Sequence, residues 1–436
     1  MFLVRGTPPA AARARDTTGR GRSTGWSWLG RRVNLSWITR FRPAVRALAP
    51  GALSYHGSPV RRSPRAPLSC DTALRYHARA SAGRATSVGA DKRAARGGPA
   101  AAGRRTYRGG PAMSRVAAID CGTNSIRLLV ADVTVSPGPD SDPDGGTRHL
   151  RDIHREMRIV RLGQGVDATG RLADEALERT RAALVDYANI ARRKGVERIR
   201  MVATSATRDA SNREEFFAMV RETLGIDAEV ITGDEEARLS FIGAVGDLDP
   251  QDGPFVVTDV GGGSTELVVG TWDGVRADIT AAYSADIGCV RLTERSLHGD
   301  PPAEDEVREA VKVARGILDD AFAAVDSSDA RTWVGVAGTV TTLSAIAQNL
   351  PEYDPAAIHL SQISRNGLER TTEQLLSMTH DERAGIGSLH AGRVDVIVGG
   401  ALVVKVLAEE LSERAGIDSI TVSEHDILDG IALSIS

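Results

Sequence analysis

Apolar residues along the sequence fall into short β-rich runs that alternate with stretches of helical spacing. In residues 173–194 the apolar side chains recur every three or four positions, which predicts a helix that Gly195 would end. Asn212 is expected to cap the next helix. Up to residue 245 the pattern predicts strands at 116–119, 126–133, 154–162, 199–203 and 229–231, and helices at 173–194, 214–224 and 233–245.

The second part of the chain repeats this alternation, and strands that alternate with helices predict an α/β fold. The segment 136–147 is rich in Pro, Gly and Asp, which predicts a loop between strands. After residue 250 we expect strands at 255–257, 267–269, 281–287, 333–336 and 420–422, and helices at 304–325, 338–350, 394–411 and 426–434.

Two of these strand pairs share a turn pattern. Residues 116–132 and 255–269 each read as strand, glycine-containing turn and strand, which is typical of a hairpin. With an offset of 139 positions, Asp120 matches Asp259 and Ser125 matches Ser264. The match predicts a duplicated fold with one phosphate-binding loop in each half, and the alternative is two ordinary Gly-rich hairpins.

The charge divides the 436 residues into two unlike parts. Residues 1–112 carry 22 basic and three acidic side chains, a net charge of +19, and show no sustained hydrophobic period, which predicts a disordered, Arg-rich extension. Three interpretations fit this part: a basic arm for nucleic acid or polyphosphate, a transit peptide, or translated upstream DNA. We favour the third, because Met113-Ser114-Arg115 immediately precedes the first predicted core strand.

Residues 113–436 carry 32 basic and 54 acidic side chains, a net charge of −22, which argues against nucleic acid as a partner of the folded part. The longest apolar run, 396–404, has nine residues and is too short to cross a bilayer, so no membrane partner is expected. Three scattered cysteines (Cys70, Cys121 and Cys289) predict neither a disulfide framework nor a zinc site, and they fit a cytoplasmic location.

Acidic residues flank both predicted phosphate loops. Asp120 and Asp259 precede the turns, and Glu266 follows the second turn. Carboxylates beside an anion would repel it unless a cation lay between them, and their oxygens suit Mg²⁺ or another divalent cation. The alternative is structural, since an Asp beside a glycine turn often bonds its own backbone.

Four other charged residues are candidates for the same cleft. Arg127 and Arg208 could bind phosphate oxygens, although surface salt bridges are the more common role of arginine. Glu235 and Glu236 open a helix, where acidic residues also complement the helix dipole. Adjacent helical positions point about 100° apart, so at most one of the two glutamates would face a cleft. The residues alone do not decide which.

Eight ordered motifs after residue 115 resemble the exopolyphosphatase / guanosine-pentaphosphate phosphohydrolase family: IDCGTNSIRLLVAD, RLGQGV, ATSATRDA, ITGDEEARLSF, VTDVGGGSTELVVG, IGCVRLTE, VAGTVTTL and VDVIVGG. The resemblance implies an α/β, duplicated ribonuclease-H-like fold, as in actin, sugar kinases and heat-shock ATPases, with the active site between the halves. After the extension at 1–112, which the resemblance does not cover, it implies a first domain at 113–243 and a second at 244–436, and the helix 425–436 is expected to pack back on the first domain.

Residue by residue, the resemblance implies that Glu236 is the general base that activates water, and that Asp259 and Glu266 hold Mg²⁺, with Asp120 as a further candidate ligand. The candidate phosphate-binding residues are Gly122, Thr123, Asn124, Ser125, Arg127, Arg208, Gly261, Gly262, Gly263, Ser264 and Thr265.

The implied activity is release of terminal phosphate from inorganic polyphosphate. Longer family members carry an extra C-terminal helical domain that this sequence does not contain, so we expect short chains to be favoured. The alternatives are hydrolysis of guanosine pentaphosphate, an ATPase or phosphotransferase on the same scaffold, and a sensor without catalysis. A homodimer is one assembly consistent with these expectations. His425, in the acidic segment 423–430, has no predicted role.

Overall fold

The computed structural model describes residues 112–136 and 147–435, so the predicted extension 1–112 and nearly all of the predicted loop 136–147 lie outside the described residues. No helix among the described residues is long and apolar enough to cross a membrane.

The first half is a mixed sheet with the strand order β3-β2-β1-β4-β5, in which the first three strands in sequence are antiparallel and β1, β4 and β5 are parallel. Gly195 ends the long helix of this half in a left-handed conformation, as predicted. The elements are β1 (Ala112–Cys121), β2 (Ser125–Ser136), β3 (Thr147–Ile159), α1 (Val166–Thr169), α2 (Asp174–Lys194), β4 (Arg198–Ala203), α3 (Ser205–Asp209), α4 (Arg213–Leu224), β5 (Glu229–Val230) and α5 (Gly233–Val245).

The second half repeats this order as β8-β7-β6-β9-β11 and adds β10 at the edge. The equivalent pairs have the same directions, so the predicted duplicated α/β fold is confirmed. The elements are β6 (Phe255–Val260), β7 (Thr265–Trp272), β8 (Ala277–Ala285), α6 (Cys289–Ser296), α7 (Glu304–Ala324), β9 (Thr332–Val336), α8 (Ala337–Ala347), α9 (Pro355–Ile358), β10 (Gln362–Ser364), α10 (Arg365–Ser377), α11 (His380–Ala384), α12 (Ile397–Ala415), β11 (Ser419–Val422) and α13 (Ile427–Ser434).

Helices α5 and α13 connect the two sheets. The apolar side of α13 joins one core cluster with β1 and β2, in which Ile431 packs near Val116 and Leu129. Helix α5 contributes to that cluster and also to a second one against β6 and β7. The two helices cross so closely that a Cβ at Gly243 would lie 1.8 Å from the Asp426 carbonyl oxygen. The last helix therefore covers the first sheet.

Several local predictions differ from the structure. Asn212 occupies the N-cap position of α4, but its side chain bonds both the N–H and the C=O of Leu172, at 2.8 and 3.1 Å, so the predicted cap was wrong. The strand predicted at 154–162 lies at Thr147–Ile159. Helices α3, α6, α9 and α11 have only four to eight residues and were not predicted, because so short a segment shows little helical period.

Candidate active site

The two predicted loops are hairpin turns of the same form. The Gly122 N–H donates to the Ser125 carbonyl at 3.0 Å, and the Gly261 N–H donates to the Ser264 carbonyl at 3.1 Å. These four residues correspond at the predicted offset of 139 positions. Both turns line one cavity of about 60 Å³, so the two halves meet at these loops.

The glycines of the second loop are required because the loops contact each other. A Cβ at Gly262 would lie 2.9 Å from the Thr123 Cβ, and a Cβ at Gly263 would lie 2.5 Å from the Ser205 Oγ. Gly288, at the start of α6, is also constrained, because a Cβ there would lie 2.5 Å from the carbonyl of Gly262. A side chain at any of these positions would collide with a neighbouring segment and displace it.

Both loops bring backbone amide groups to the cavity wall. The carbonyls of Thr123, Gly261 and Gly262 accept hydrogen bonds of 2.8–2.9 Å from N–H groups of the segments behind the loops. In a planar trans peptide the next N–H points away from the carbonyl. Asn124, Gly262 and Gly263, whose N–H groups follow these three carbonyls, all line the cavity. Such convergent donors suit an anion.

Four buried carboxylates surround this anion-binding surface. Asp120, Glu236 and Asp259 line the cavity, and Glu266 is buried next to them on β7. Burial raises the pKa of Asp259 to about 7 and that of Glu236 to about 7. Burial, together with the neighbouring Glu236 and Asp259, raises the pKa of Glu266 well above its ordinary value. Burial also raises the pKa of Asp120. So much negative charge in one buried place calls for a cation.

Hydroxyl groups orient the two carboxylates of the second hairpin. Ser240 on α5 donates to Asp259 Oδ2 at 2.7 Å. Ser284 on β8 donates to Glu266 Oε1 at 2.8 Å. Each carboxylate is therefore held by a neighbouring element, which fixes the positions of its oxygens.

Packing decides between the two adjacent glutamates of α5. Thr232 caps the helix by accepting the Glu235 N–H at 3.2 Å. The Glu235 side chain turns outward to Arg200, at 2.7 Å. Glu236 is buried and accepts a 2.6 Å hydrogen bond from Arg208 Nη1. Glu236 is therefore the one that faces the cavity, which the residues alone could not decide.

The two predicted phosphate-binding arginines are both paired with carboxylates. Arg127 lines the cavity and bonds Asp120 at 2.7 Å and also Asp426, the N-cap residue of α13. Arg208 lies behind Glu236 and is not part of the cavity wall. Arg208 is thus placed to hold the glutamate rather than to contact a molecule in the cavity.

Most of the site residues that were predicted from the sequence line the 60 Å³ cavity, and three of them do not. Besides Arg208 and Glu266, these include Thr265, which is fully buried and whose hydroxyl donates to the Ile287 carbonyl at 2.6 Å. The predicted residues that line the cavity are Asp120, Gly122, Thr123, Asn124, Ser125, Arg127, Glu236, Asp259, Gly261, Gly262, Gly263 and Ser264.

Sequence reasoning missed one basic residue of the cavity, Arg393. Its guanidinium packs on the backbone of α8, where a Cβ at Gly338 would lie 1.8 Å from Arg393 Nη2. Among the described residues Arg393 forms no ion pair, which distinguishes it from Arg127 and Arg208. Arg393 lies one position before the motif VDVIVGG, and that adjacency was the available signal.

A larger cavity of about 510 Å³ adjoins the first, and Arg393 lines both. Its wall includes Tyr353 and Ser388, and the buried Ser388 Oγ has no partner among the described residues. Ala337 lies where the two cavities meet and has φ of 68°, a left-handed conformation that L side chains rarely adopt. Strain of this kind is concentrated at ligand sites.

The smaller cavity also contains polar atoms without partners. Asp120 Oδ1 and Asn124 Nδ2 are buried and form no hydrogen bond within the described residues. A carboxylate oxygen without a partner fits a hard cation, and an amide N–H₂ fits an anion. The donor set therefore fits Mg²⁺ together with phosphate.

Comparison with known proteins identifies the family. The model of the Ppx/GppA phosphatase family matches residues 143–435. The chain belongs to this family. Within the Ppx/GppA family it is 57% identical over 330 residues to Exopolyphosphatase 2 of Mycobacterium tuberculosis, which covers 74% of this chain and 99% of that protein. It is 27% identical over 303 residues to Exopolyphosphatase 1 of Mycobacterium bovis, which covers 68% of this chain and 82% of the relative.

Two solved Ppx/GppA structures have the same fold. A crystal structure described as an exopolyphosphatase-like protein has a TM-score of 0.68 at 44% identity, covering 74% of this chain and 98% of that one. The PPX-GPPA enzyme of Aquifex aeolicus has a TM-score of 0.59 at 32% identity, covering 74% and 100%. The family and the fold that the sequence resemblance implied are both confirmed.

Proposed function

We propose that this chain is an exopolyphosphatase that hydrolyses the terminal phosphoanhydride of inorganic polyphosphate. One observation carries the proposal: the buried residue Glu236 lines the same cavity as both glycine loops. The similarity to the mycobacterial relative, which is named for that activity, supports the choice of substrate.

The terminal phosphoryl group would be bound by the chain's own donors. The N–H groups of Asn124, Gly262 and Gly263, with Asn124 Nδ2, would donate to its oxygens. Arg393 would bind the next phosphate of the chain, at the border between the two cavities. Arg127 would contribute positive charge while it remains paired with Asp120.

Asp120 and Asp259 would hold Mg²⁺, or another divalent cation, with Glu266 behind them. When bound there, the cation would reduce the negative charge that the phosphoryl oxygens present. Asp259 is oriented for this role by Ser240. The substrate is a polyanion and would be repelled by the buried carboxylates. A cation bound between them would reduce this repulsion, which supports its place in the proposal.

Glu236 would act as the general base. The attacking water forms a new P–O bond, the bond from phosphorus to the bridging oxygen breaks, and the proton of the water passes to Glu236. A pKa near 7 suits this transfer at neutral pH, because the carboxylate is then both present and basic. Arg208 would keep the carboxylate in position through its 2.6 Å bond.

A second candidate function is hydrolysis of guanosine pentaphosphate. The adjoining cavity of about 510 Å³ favours it, because that volume falls in the range of small-molecule sites. Tyr353 offers an aromatic surface there, and the unpartnered Ser388 Oγ offers a hydrogen bond. With polyphosphate as substrate, the same cavity would hold the phosphate groups that follow the terminal one in a short polyphosphate chain.

Phosphate release by the full chain with Mg²⁺ tests both functions. Short-chain polyphosphate, long-chain polyphosphate, guanosine pentaphosphate and ATP would be compared, each with wild type and Glu236→Gln. We expect the highest kcat/KM with short-chain polyphosphate. Release from the pentaphosphate alone would favour the second function, release from ATP alone would favour an ATPase, and no release from any of the four would favour a sensor.

Location and assembly are further parts of the proposal. Cys121 and Cys289 are buried free thiols, which fits a reducing cytoplasm. Light scattering during size-exclusion chromatography would distinguish a monomer from a homodimer.

A further inference from the structure

A cluster of three side chains outside the active-site cavity is not used by the proposed mechanism. Asp247 follows α5, His359 follows α9 and His425 precedes α13. Asp247 Oδ2 lies 3.4 Å from His359 Nε2 and 2.5 Å from His425 Nδ1. One potential ligand atom from each residue lies within 4.8 Å of the other two.

We propose that Asp247, His359 and His425 bind a transition-metal ion of the zinc class. Imidazole nitrogen and carboxylate oxygen are ligands that Zn²⁺ uses, at about 2.0–2.2 Å. At that radius tetrahedral ligand atoms lie about 3.3 Å from one another. The observed separations bracket this value, so side-chain movements of about 1 Å would complete the site.

The donor types distinguish this cluster from the active-site cavity. The cavity offers carboxylates and suits a hard cation, whereas two imidazoles favour a borderline-soft metal. Asp247 is half exposed, which leaves an entry path and an open coordination position for water. The Glu424 carboxylate, which accepts from the Tyr353 hydroxyl at 2.6 Å, adds negative charge near His359.

Binding would cost one hydrogen bond. His359 Nδ1 accepts the Glu424 N–H at 3.3 Å, so the proton of the neutral ring lies on Nε2, facing Asp247. A metal on Nε2 requires the proton on Nδ1, and the 3.3 Å contact would then open. The metal requires neutral imidazole rings, so a proton on the imidazolium of either histidine would be released to solvent, and affinity would increase with pH.

The position of the cluster gives the metal a role at the junction of the halves. Asp247 follows the helix that carries Glu236, and His425 directly precedes Asp426, which bonds Arg127. A metal shared by these segments would hold α5 and α13 in place beside the active site. It would stabilise the fold by binding only the folded state.

Cobalt absorption is a direct test. The full chain would be treated with a chelator, returned to excess Mg²⁺ to occupy the carboxylate cavity, and titrated with Co²⁺ and then with Zn²⁺ as competitor. We expect one equivalent of Co²⁺ with visible d–d absorption, which Zn²⁺ displaces. In His359→Ala and His425→Ala we expect the affinity to fall by more than the about 10–100-fold that loss of an outer-shell partner causes, because a ligand itself is removed.

His298→Ala is the matched control, because His298 is exposed and lies outside the cluster. It should bind Co²⁺ as wild type does. Asp247→Asn keeps the shape of the side chain and provides a second variant if a histidine variant fails to fold by circular dichroism. Zn²⁺ should also raise the Tm of wild type and not that of the folded variants. Absence of one-equivalent Co²⁺ binding, or equal binding in wild type and folded variants, would overturn the proposal.

Discussion

Arg127 and Glu266 occupy the same position in the two halves of the fold, each directly across a hairpin from an aspartate. Arg127 is paired with Asp120 between β1 and β2, and Glu266 is paired with Asp259 between β6 and β7. The backbone geometry is the same in the two halves, but the residue opposite the aspartate is basic in the first half and acidic in the second. The first half pairs its aspartate with an arginine, whereas the second half places two carboxylates opposite each other, where a bound cation would reduce their repulsion.

Replacing Arg127 should destabilise the protein strongly. Arg127→Ala would leave Asp120 and Asp426 buried without their common partner, at a cost of about 3–5 kcal/mol in the free energy of unfolding. Urea denaturation would measure this loss. Addition of Asp426→Asn should restore part of it, because one buried charge is then removed. A loss below about 1 kcal/mol would show that water or ions replace the guanidinium.

Glu236→Gln should fold normally and lose turnover by about 10²–10⁴-fold, because glutamine cannot accept the proton of the attacking water. Glu235→Gln is the matched control, since Glu235 occupies the adjacent position but faces Arg200 at the surface. Its kcat should stay close to that of wild type. Phosphate release and circular dichroism would be compared for the three proteins. Equal losses in both variants would exclude Glu236 as the base.

Stability should depend on pH and Mg²⁺ together. Asp259 and Glu236 have pKa values raised to about 7, against about 4 in an unfolded chain. Without Mg²⁺ their contribution to stability is therefore complete below about pH 4 and decreases as pH rises to about 7, when the folded state loses the protons. Mg²⁺ competes with these protons, so it should raise the Tm more at about pH 8 than at about pH 5.5.

Asp259→Asn tests the origin of this effect. It should raise the Tm without Mg²⁺ and remove most of the increase that Mg²⁺ causes, because a buried charge and a ligand are lost together. Asp278→Asn, at an exposed position on β8, should behave as wild type does. Thermal unfolding at the two pH values would measure each Tm. If Mg²⁺ raised the Tm of wild type equally at both pH values, the predicted competition with protons would be wrong. If Mg²⁺ raised the Tm of Asp259→Asn as much as that of wild type, Asp259 would not be the origin of the effect.

Arg393→Ala should lower kcat/KM for polyphosphate by about 10–100-fold, mainly through KM, since a charged hydrogen bond contributes about 1.5–3 kcal/mol. Arg393→Lys should recover part of the loss by keeping the charge. Arg308→Ala, which removes an exposed arginine on α7, is the control and should change neither constant. Steady-state kinetics would decide. A kcat/KM for Arg393→Ala within twofold of wild type would remove Arg393 from the proposed site.

Gly243→Ala should separate the helices that join the sheets. Its Cβ would lie 1.8 Å from the Asp426 carbonyl oxygen, and backbone cannot move aside as a side chain can. We expect a loss of about 3 kcal/mol in the free energy of unfolding. Gly246→Ala, just after the same helix, places its Cβ in open space and should be close to neutral. Similar stabilities of the two variants would show that the crossing is adaptable.

The two hairpins could be predicted from the sequence because their signals are local. Strand, turn and strand lie within about 15 residues, and the offset match between Asp120 and Asp259 needs no tertiary information. The family resemblance then assigned a role to Glu236. The structure shows which of the two glutamates faces the cavity, because the Glu235 side chain is turned outward to Arg200.

The rest of the site depends on long-range packing. Asp426 reaches Arg127 because α13 returns to the first sheet, a contact without a local sequence signal. Arg393 reaches the cavity from the segment before α12, which packs beside α8, and its only sequence signal is the motif that follows it. The same holds for Asn212, whose capping potential was used instead to hold a distant loop. The N-cap propensity of Asn predicted correctly that residue 212 stands at the start of α4. Tertiary contacts, however, gave its side chain Leu172 as a hydrogen-bond partner instead of the helix.

The return of α13 to the first sheet has a consequence during synthesis on the ribosome. Arg127 meets a partner 299 residues further along the chain, and the α13 surface that covers β1 and β2 is made at the same late stage. At about 5–20 residues per second, that delay lasts about 15–60 s. The nascent first half therefore exposes an apolar sheet face throughout this time, and we expect its yield in cells to depend on chaperones that bind emerging chains.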